Sequence, residues 1–193
     1  MAKKKAAKPA RKVRADAERN RALILEVAKQ VFTRGGAQAS LDEIARCARI
    51  GAGTLYRHFP TRDALIEAVY RSEVEKLAAA GQRFAETMKP IEALRAWMLL
   101  FVDHVAEKRL ILPAMDSVQG GAARMIEGAR GPIQATFGQM VKRAIASGEL
   151  RADTDPGDLQ RAMVGVFHTM AIPGWEASAR RLVEILIAGS RAV

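Results

Sequence analysis

Apolar residues recur along most of the chain at intervals of three and four positions, which is the period of an α-helix with one buried face. No run alternates β-branched and polar residues as a half-buried strand does, and residues that favour helices, such as Ala, Leu, Arg and Glu, are abundant. We therefore predict an all-α fold. The predicted helices cover residues 16–34, 41–48, 52–59, 62–81, 90–107, 132–147, 156–172 and 175–189.

The helical pattern weakens between residues 108 and 131. Residues 110–115 form a short apolar segment, which Pro113 is expected to kink or end because proline has no backbone N–H. Several glycines between residues 120 and 131 predict a flexible passage with one broken helical turn.

Residues 40–51 predict a short helix followed by a tight turn. Ser40 can accept a hydrogen bond from an N–H of the first turn, and Glu43 three positions later completes a capping box, so a helix begins at Leu41. The apolar stripe of this helix is narrow and needs a packing partner, which the helix over residues 16–34 provides. The pattern breaks before Gly51, which leaves the three or four residues of the turn in a helix-turn-helix.

The second helix of this pair, residues 52–59, buries little of its surface. Only Leu55 and Phe59 form an apolar pair, and the other positions carry small residues followed by hydroxyl, phenol, guanidinium and imidazole groups, all able to bind phosphate oxygens or base edges. Because Phe59 already completes the core, we expect Tyr56 and His58 to face DNA rather than the interior. The predicted DNA-binding residues are Gly51, Ala52, Thr54, Tyr56, Arg57, His58 and Arg62.

The stretch IGAGTLYRHFPTRDALIEAV resembles the recognition-helix signature of the TetR family of bacterial transcription regulators, and the resemblance extends over residues 19–69. It implies that Gly51, Ala52 and Tyr56 lie nearest the bases, and it places Thr54, His58 and Arg62 nearer phosphate. Two positions depart from the family pattern, since Arg49 stands where Gly is common and Gly51 where Ser or Thr is common. We therefore expect Arg49 to adopt an uncomfortable backbone conformation or to extend the first helix, and the recognition helix to lack a side-chain cap.

The resemblance also implies the domain organisation. It predicts an N-terminal three-helix helix-turn-helix domain (16–62) and a C-terminal helical domain for ligand binding and dimerisation (63–193), and the composition of residues 1–15 predicts a basic disordered arm before them. The helix that starts after Thr61 would connect the two domains and transmit ligand binding to the DNA-binding head. The last two predicted helices are apolar on more than one side, which is typical of a subunit interface, and in TetR proteins two such helices form a four-helix bundle in a homodimer.

The net charge of +10 is confined to the N-terminal third of the chain. Residues 1–62 contain 15 Lys or Arg and 5 Asp or Glu, whereas residues 63–193 contain 16 of each sign. A basic segment can be merely a solvated surface, but its coincidence with the helix-turn-helix favours nucleic acid. The arm over residues 1–15 is expected to contact phosphate or, alternatively, to act as a solubilising tail.

Other features of the chain exclude several protein classes. A single cysteine, Cys47, allows no internal disulfide, and neither a signal peptide nor a membrane-spanning run is present, so we expect a cytoplasmic, nucleoid-associated protein. The sequence shows no cluster of residues with metal-ligand spacing and no nucleophile paired with a base. We therefore expect no enzymatic activity, no metal and no cofactor.

Most of the eight methionines lie in the C-terminal part of the chain, where they could line an adaptable ligand cavity. Packing in the core is the alternative for each of them. The predicted pocket residues are Trp97, Met98, Phe101, His104, Met115, Met140, Phe167 and His168.

These expectations together indicate a homodimeric, ligand-responsive transcriptional regulator, most simply a repressor that binds a palindromic operator in double-stranded DNA and is released by a small-molecule effector. The alternative is a non-specific architectural DNA-binding protein, in which the basic arm dominates the interaction.

Overall fold

The computed structural model describes residues 10–118, 120–166 and 172–192, with side chains from residue 16 onward. Eight α-helices and one 3₁₀ turn make up this part of the chain, which confirms the all-α prediction. They are α1 (Ala10–Gly35), the 3₁₀ turn (Gly36–Gln38), α2 (Leu41–Cys47), α3 (Ala52–His58), α4 (Arg62–Thr87), α5 (Pro90–Asp116), α6 (Gly121–Ala146), α7 (Pro156–Val166) and α8 (Trp175–Ser190). Residues 10–15, predicted as part of a disordered arm, form the first turns of α1, and residues 1–9 lie outside the described part.

The side-chain cap predicted at Ser40 is confirmed, and Thr61 caps α4 in the same way. Ser40 Oγ accepts a hydrogen bond of 3.1 Å from Glu43 N, and Thr61 Oγ1 accepts one of 3.1 Å from Ala64 N. These bonds satisfy backbone donors at the starts of α2 and α4. Gly51 caps α3 through its backbone alone, as the absence of a hydroxyl residue at this position predicts.

A first hydrophobic core lies beneath the helix-turn-helix and continues into the rest of the protein. Helix α1 contributes Ile24, Ala28, Val31 and Phe32, whereas Leu23 is 45% exposed. Helices α4, α5 and α6 add Leu65, Ile66, Val69, Tyr70, Val74, Ile111, Ala114, Met115, Val118, Met125 and Ala129 to the same core. Helices α1, α2 and α3 enclose too little apolar surface to be stable alone, and here the later helices complete their core.

Helix α5 continues through Pro113, so the prediction of a separate kinked segment over residues 110–115 is wrong. A proline inside a helix costs about 3 kcal/mol because a hydrogen bond is lost. Burial of the neighbouring Ala114 and Met115 in the first core offsets that cost. The Pro113 ring also lies against Gly36, where an added Cβ would be 3.4 Å from Pro113 Cβ.

Helix α6 begins at Gly121, so the prediction of a flexible passage between residues 120 and 131 is also wrong. Glycine disfavours helices, but close packing requires it here, since an added Cβ on Gly121 would lie 2.5 Å from Val118 Cβ. Met125 and Ala129, on the following turns, are buried in the first core. Tertiary packing therefore holds a segment helical that intrinsic propensity would leave open.

A second hydrophobic core fills the C-terminal half of the protein around Trp97. The indole Nε1 donates a 3.0 Å hydrogen bond to Leu77 O, and the ring stacks on Phe101 with centroids 5.5 Å apart. Helix α4 passes through Gly81, where it was predicted to end, because this glycine packs closely against α6. An added Cβ at this position would lie 2.4 Å from Thr136 Cγ2.

Helices α7 and α8 cover the far side of the second core. Their buried residues are Leu159, Met163, Val166, Trp175, Ala179, Val183 and Ile187. The predicted helix over residues 156–172 is observed as Pro156–Val166, and residues 167–171 lie outside the described part. Among the described helices, none combines the length and apolar character that crossing a membrane requires.

Candidate nucleic-acid interface

Helix α3 is anchored along one apolar edge and leaves its other faces open to solvent. Leu55 and Phe59 are buried, and the guanidinium of Arg21 lies over the Phe59 ring at 4.6 Å. Tyr56 is 46% exposed. Six of the predicted DNA-binding residues lie on or beside this helix, of which Gly51, Ala52, Tyr56 and Arg57 are exposed and Thr54 and His58 are half-buried.

Arg57 lies along its own helix rather than extending into solvent. Its Nε donates to Gly53 O and its Nη2 donates to Thr54 Oγ1, each over 3.1 Å. Since Thr54 Oγ1 accepts this bond, the hydroxyl proton of Thr54 can still be donated to a phosphate oxygen. Both side chains are thus ordered before any ligand arrives, which lowers the entropy cost of binding.

The turn between α2 and α3 contains the predicted backbone strain. Arg49 has a φ of 54°, and it is the single non-glycine residue with a positive φ in the described part of the chain. Helix α2 ends at Cys47, so Arg49 does not extend it. A side chain in this left-handed conformation costs about 1 kcal/mol relative to glycine.

In the structure the Arg62 side chain binds other parts of the protein, and its phosphate contact stays a prediction. Its Nε donates to Ala39 O, and its Nη2 donates to the carbonyl oxygens of Gly36 and Ala37, each over 3.1 Å. Its Nη1 donates to Ser117 Oγ over 2.6 Å. The guanidinium also lies 5.4 Å from the centroid of the Phe32 ring. Four of its five N–H groups are occupied, so Arg62 connects the loop after α1 with the end of α5.

Ion pairs form a second connection, which joins helix α1 to helices α4 and α5. Lys29 of α1 donates to Glu73 of α4 and to Glu107 of α5, each over 2.6 Å, and Lys76 also binds Glu73 over 2.7 Å. Burial opposes ionisation of Glu73, yet hydrogen bonds from the two lysines hold the pKa of Glu73 below its usual value. The stabilisation from Glu73 is therefore present at neutral pH and is lost as the pH falls through the folded-state pKa.

The residues predicted to line a ligand pocket do not share one cavity in the described part of the chain. Trp97, Met98 and Met140 are packed in the second core, whereas Met115 belongs to the first. The cavity beside Trp97 and Phe101 has a volume of only about 20 Å³. That volume suits a single water at most, and small-molecule sites are usually at least about 300 Å³.

His104 lies against a different recess, between α4 and α5. Its ring packs beside those of Tyr70 and Phe101, with centroid distances of 6.4 and 6.2 Å. Burial lowers the pKa of His104 to about 4, so the imidazole is neutral at physiological pH. The other two predicted pocket residues, Phe167 and His168, lie outside the described residues.

A larger groove separates α4 from α6 and contains none of the predicted pocket residues. Its volume is about 510 Å³, within the range of small-molecule sites. The ion pair between Glu67 and Arg124 lies at the groove, and the lining residues are Glu67, Tyr70, Arg71, Val74, Glu75, Ala78, Arg124, Met125, Gly128, Ala129 and Pro132. We name this recess the α4–α6 groove.

Tyr70 supplies the α4–α6 groove with a polar group. Burial raises the pKa of Tyr70 to about 12, so its hydroxyl keeps its proton at neutral pH. No metal site accompanies it, since the described residues contain no group of three or more His, Cys, Asp or Glu that could hold an ion. The lining of the groove thus combines apolar side chains with Tyr70 and four charged side chains, Glu67, Arg71, Glu75 and Arg124.

A capped two-helix unit that exposes the polar faces of its second helix, joined to a larger helical domain with a recess, defines a helix-turn-helix transcription regulator. Comparison with protein families gives the family. Residues 24–69 match the bacterial regulatory proteins of the tetR family, and residues 89–192 match the C-terminal domain of SbtR-like transcriptional regulators. The protein belongs to the TetR family of transcriptional regulators.

Two crystal structures of TetR regulators resemble the protein over nearly its whole length. The regulator SCO0520 from Streptomyces coelicolor is 38% identical, covers 90% of this chain and 99% of its own, and superposes with a TM-score of 0.77. A TetR regulatory protein from Mycobacterium vanbaalenii is 33% identical, covers 93% of this chain and 99% of its own, and has a TM-score of 0.77.

Curated relatives show the same family at lower coverage. The regulator SrpR of Pseudomonas putida is 31% identical over 163 residues, which is 82% of this chain and 74% of SrpR. The regulator UidR of Escherichia coli is 36% identical over 93 residues, which is 48% of this chain and 42% of UidR. The match therefore spans less than half the length of UidR.

Proposed function

We propose that the protein is a homodimeric repressor that binds a palindromic operator and is released from it by a small-molecule effector. The observation that carries this proposal is the surface of α3, where Tyr56 is 46% exposed although its neighbour Leu55 is buried. A helix held in this way can enter the major groove without unfolding any part of the core.

The dimer is proposed to form through α7 and α8. Val164 on α7 and Ile185 on α8 are large apolar residues with about half or more of their surface exposed, at 48% and 63%. Such side chains on adjacent helices are typical of a self-complementary twofold interface. A twofold axis would present two copies of α3 to half-sites about 34 Å apart.

The α4–α6 groove is proposed as the effector site. Helix α4 forms one wall of the groove and begins directly after the helix-turn-helix, and its Tyr70 and Val74 also belong to the core shared with the head. A ligand that prefers a different spacing of α4 and α6 would therefore change the position of the head. For a hundredfold loss of operator affinity, the ligand must favour that conformation by about 3 kcal/mol.

Replacing Tyr56 with Ala is expected to weaken operator binding about tenfold to a hundredfold, since a good base contact contributes about 1–3 kcal/mol. The operator would first be selected from genomic DNA fragments, and affinity would be measured by fluorescence anisotropy at fixed salt. Sedimentation would check that the variant remains a dimer.

Two outcomes of this experiment would count against the proposal. Unchanged affinity of the Tyr56→Ala variant would show that α3 does not read DNA. A wild-type protein with equal affinity for selected and random fragments would instead be the architectural DNA-binding protein considered above, because a regulator shows a large specificity ratio.

Replacing Gly128 with Leu is expected to fill the α4–α6 groove without disturbing the fold. Gly128 lines the groove, and an added Cβ would meet nothing within 4 Å. The substitution should also raise helix propensity, by up to about 1 kcal/mol. We expect the fluorescent probe 1-anilinonaphthalene-8-sulfonate to bind the wild type and to bind the variant at least about tenfold more weakly, with operator affinity unchanged.

Gly138→Leu is the matched control for this substitution. Gly138 lies on the same helix and also has open space at its Cβ position, but it does not line the groove. Equal loss of probe binding in both variants, or in neither, would show that the probe occupies another site.

A further inference from the structure

Arg49 combines a strained backbone with a side chain that the fold does not use. In the described part of the chain, every other residue with a positive φ is a glycine, at positions 36, 120, 148 and 174. Only at Arg49 does a residue with a long side chain occupy this conformation. Glycine adopts it without steric cost, so the strain here is a property of the side chain and not of the turn.

The guanidinium of Arg49 has no internal function that would offset this strain. The residue is exposed, and within the described residues its side chain makes no ion pair, hydrogen bond or ring contact. Its backbone N–H donates to Arg46 O over 3.1 Å, a bond that any residue except proline could make. Removing the side chain should therefore cost the folded protein nothing and should relieve the turn.

The position of Arg49 gives the side chain a target. The residue stands in the turn, three positions before the first residue of α3, on the same unit that exposes Tyr56. When a recognition helix enters the major groove, the turn before it passes close to the phosphates at the groove edge. A guanidinium binds a phosphate through two parallel N–H groups.

We propose that Arg49 is a phosphate-binding residue of the DNA interface, and that the turn retains backbone strain in order to present it. The inference rests on the proposed function, because it requires α3 to read DNA. It assigns affinity rather than sequence preference to Arg49, since a phosphate contact is the same for every base sequence. Stability and DNA affinity should therefore change in opposite directions when the side chain is removed, since the protein becomes more stable and binds DNA more weakly.

The test compares Arg49→Gly, Arg49→Asn and Arg49→Lys with the wild type. Gly and Asn both tolerate a positive φ and lack the charge. We expect Arg49→Gly to raise the Tm by about 2–4 °C and Arg49→Asn to raise it by less. Both should weaken binding about threefold to tenfold, equally for the operator and for point variants of it. The slope of log affinity against log salt should fall by about 1 between roughly 50 and 200 mM salt, as for one lost phosphate contact.

Arg49→Lys and a distant control separate charge from backbone. Arg49→Lys keeps both the charge and the strain, so its Tm and salt slope should remain close to wild type. Lys142→Gln removes an exposed charge from α6 and should leave the slope unchanged. A raised Tm with unaltered affinity and slope in Arg49→Gly would overturn the inference and leave the proposed function intact. Failure of the wild type to bind DNA would overturn both.

Discussion

Replacing Trp97 with Ala is expected to lower the free energy of unfolding by about 3–5 kcal/mol, which is the usual cost of removing a large aromatic side chain from a packed core. Trp97 is 1% exposed, its Nε1 bonds to Leu77 O, and its ring stacks on Phe101. The added Cβ of an alanine at Gly81 would lie 3.2 Å from the indole, so neighbouring backbone already touches it. The surroundings can collapse only partly into the space left behind.

Chemical denaturation at a fixed protein concentration would measure this loss. Phe101→Ala is the comparison, because Phe101 is half-buried and stacks on the same ring. We expect it to cost about half as much. If Trp97 instead lined an open ligand cavity, as its sequence position allowed, Trp97→Ala would merely enlarge that cavity. A loss of about 1 kcal/mol or less would favour that alternative.

The helix-turn-helix could be predicted in detail because its determinants are local. The cap at Ser40 joins residues three positions apart, and the one at Thr61 does the same. The strain at Arg49 followed from a non-glycine residue at a turn position that the family pattern gives to glycine. Each of these features depends on residues that are close together in the sequence, so a short sequence motif is enough to predict it.

The helices over residues 108–131 were mispredicted because their determinants are distant in sequence. Gly121 resembles a helix breaker, but in the structure it allows the chain to pack against Val118 and Met115. Pro113 is accommodated because residues before and after it are buried in the first hydrophobic core, which also contains residues of the helix-turn-helix. Propensity within a window cannot reveal such contacts.

The same limitation explains why the residues predicted to line the effector pocket do not share one cavity in the described part of the chain. Large apolar residues such as Trp97 and Met98 were expected to line it, but bulky side chains fill space and leave almost none open around themselves. The α4–α6 groove exists where α6 carries Gly128, whose missing side chain leaves a gap. In the sequence, Gly128 lies in a stretch with little helical periodicity and gave no sign of a ligand site. The groove depends on α4, which lies opposite this glycine only in the folded protein.

The two connections between head and C-terminal domain could not be read from the sequence either. Lys29 and Glu73 are 44 positions apart, and Arg62 and Ser117 are 55 apart. In the sequence, Arg62 is one more basic residue after a recognition helix. The direction of its side chain depends on where α5 ends, and the structure turns it inward.

Replacing Arg62 with Ala is expected to lower the free energy of unfolding by about 2–4 kcal/mol, because a half-buried charged donor with four hydrogen bonds is removed. The loop at Gly36 and Ala37 loses its hydrogen-bonded connection to Ser117. The variant should therefore accelerate backbone hydrogen exchange more in α2 and α3 than in α8. Arg62→Lys should restore little, since an ammonium cannot form the same fork of hydrogen bonds.

This variant also decides between the two roles considered for Arg62. If the side chain holds the fold, Arg62→Ala should destabilise the protein while the slope of operator affinity against salt stays at the wild-type value, measured at a temperature where the variant is folded. If it binds phosphate, the slope should fall by about 1 and stability should change little. Arg71→Ala on the same helix is the control, because Arg71 is exposed and lies in no ion pair of the described residues. Unchanged stability together with a lower slope would show that DNA draws Arg62 away from its carbonyl partners.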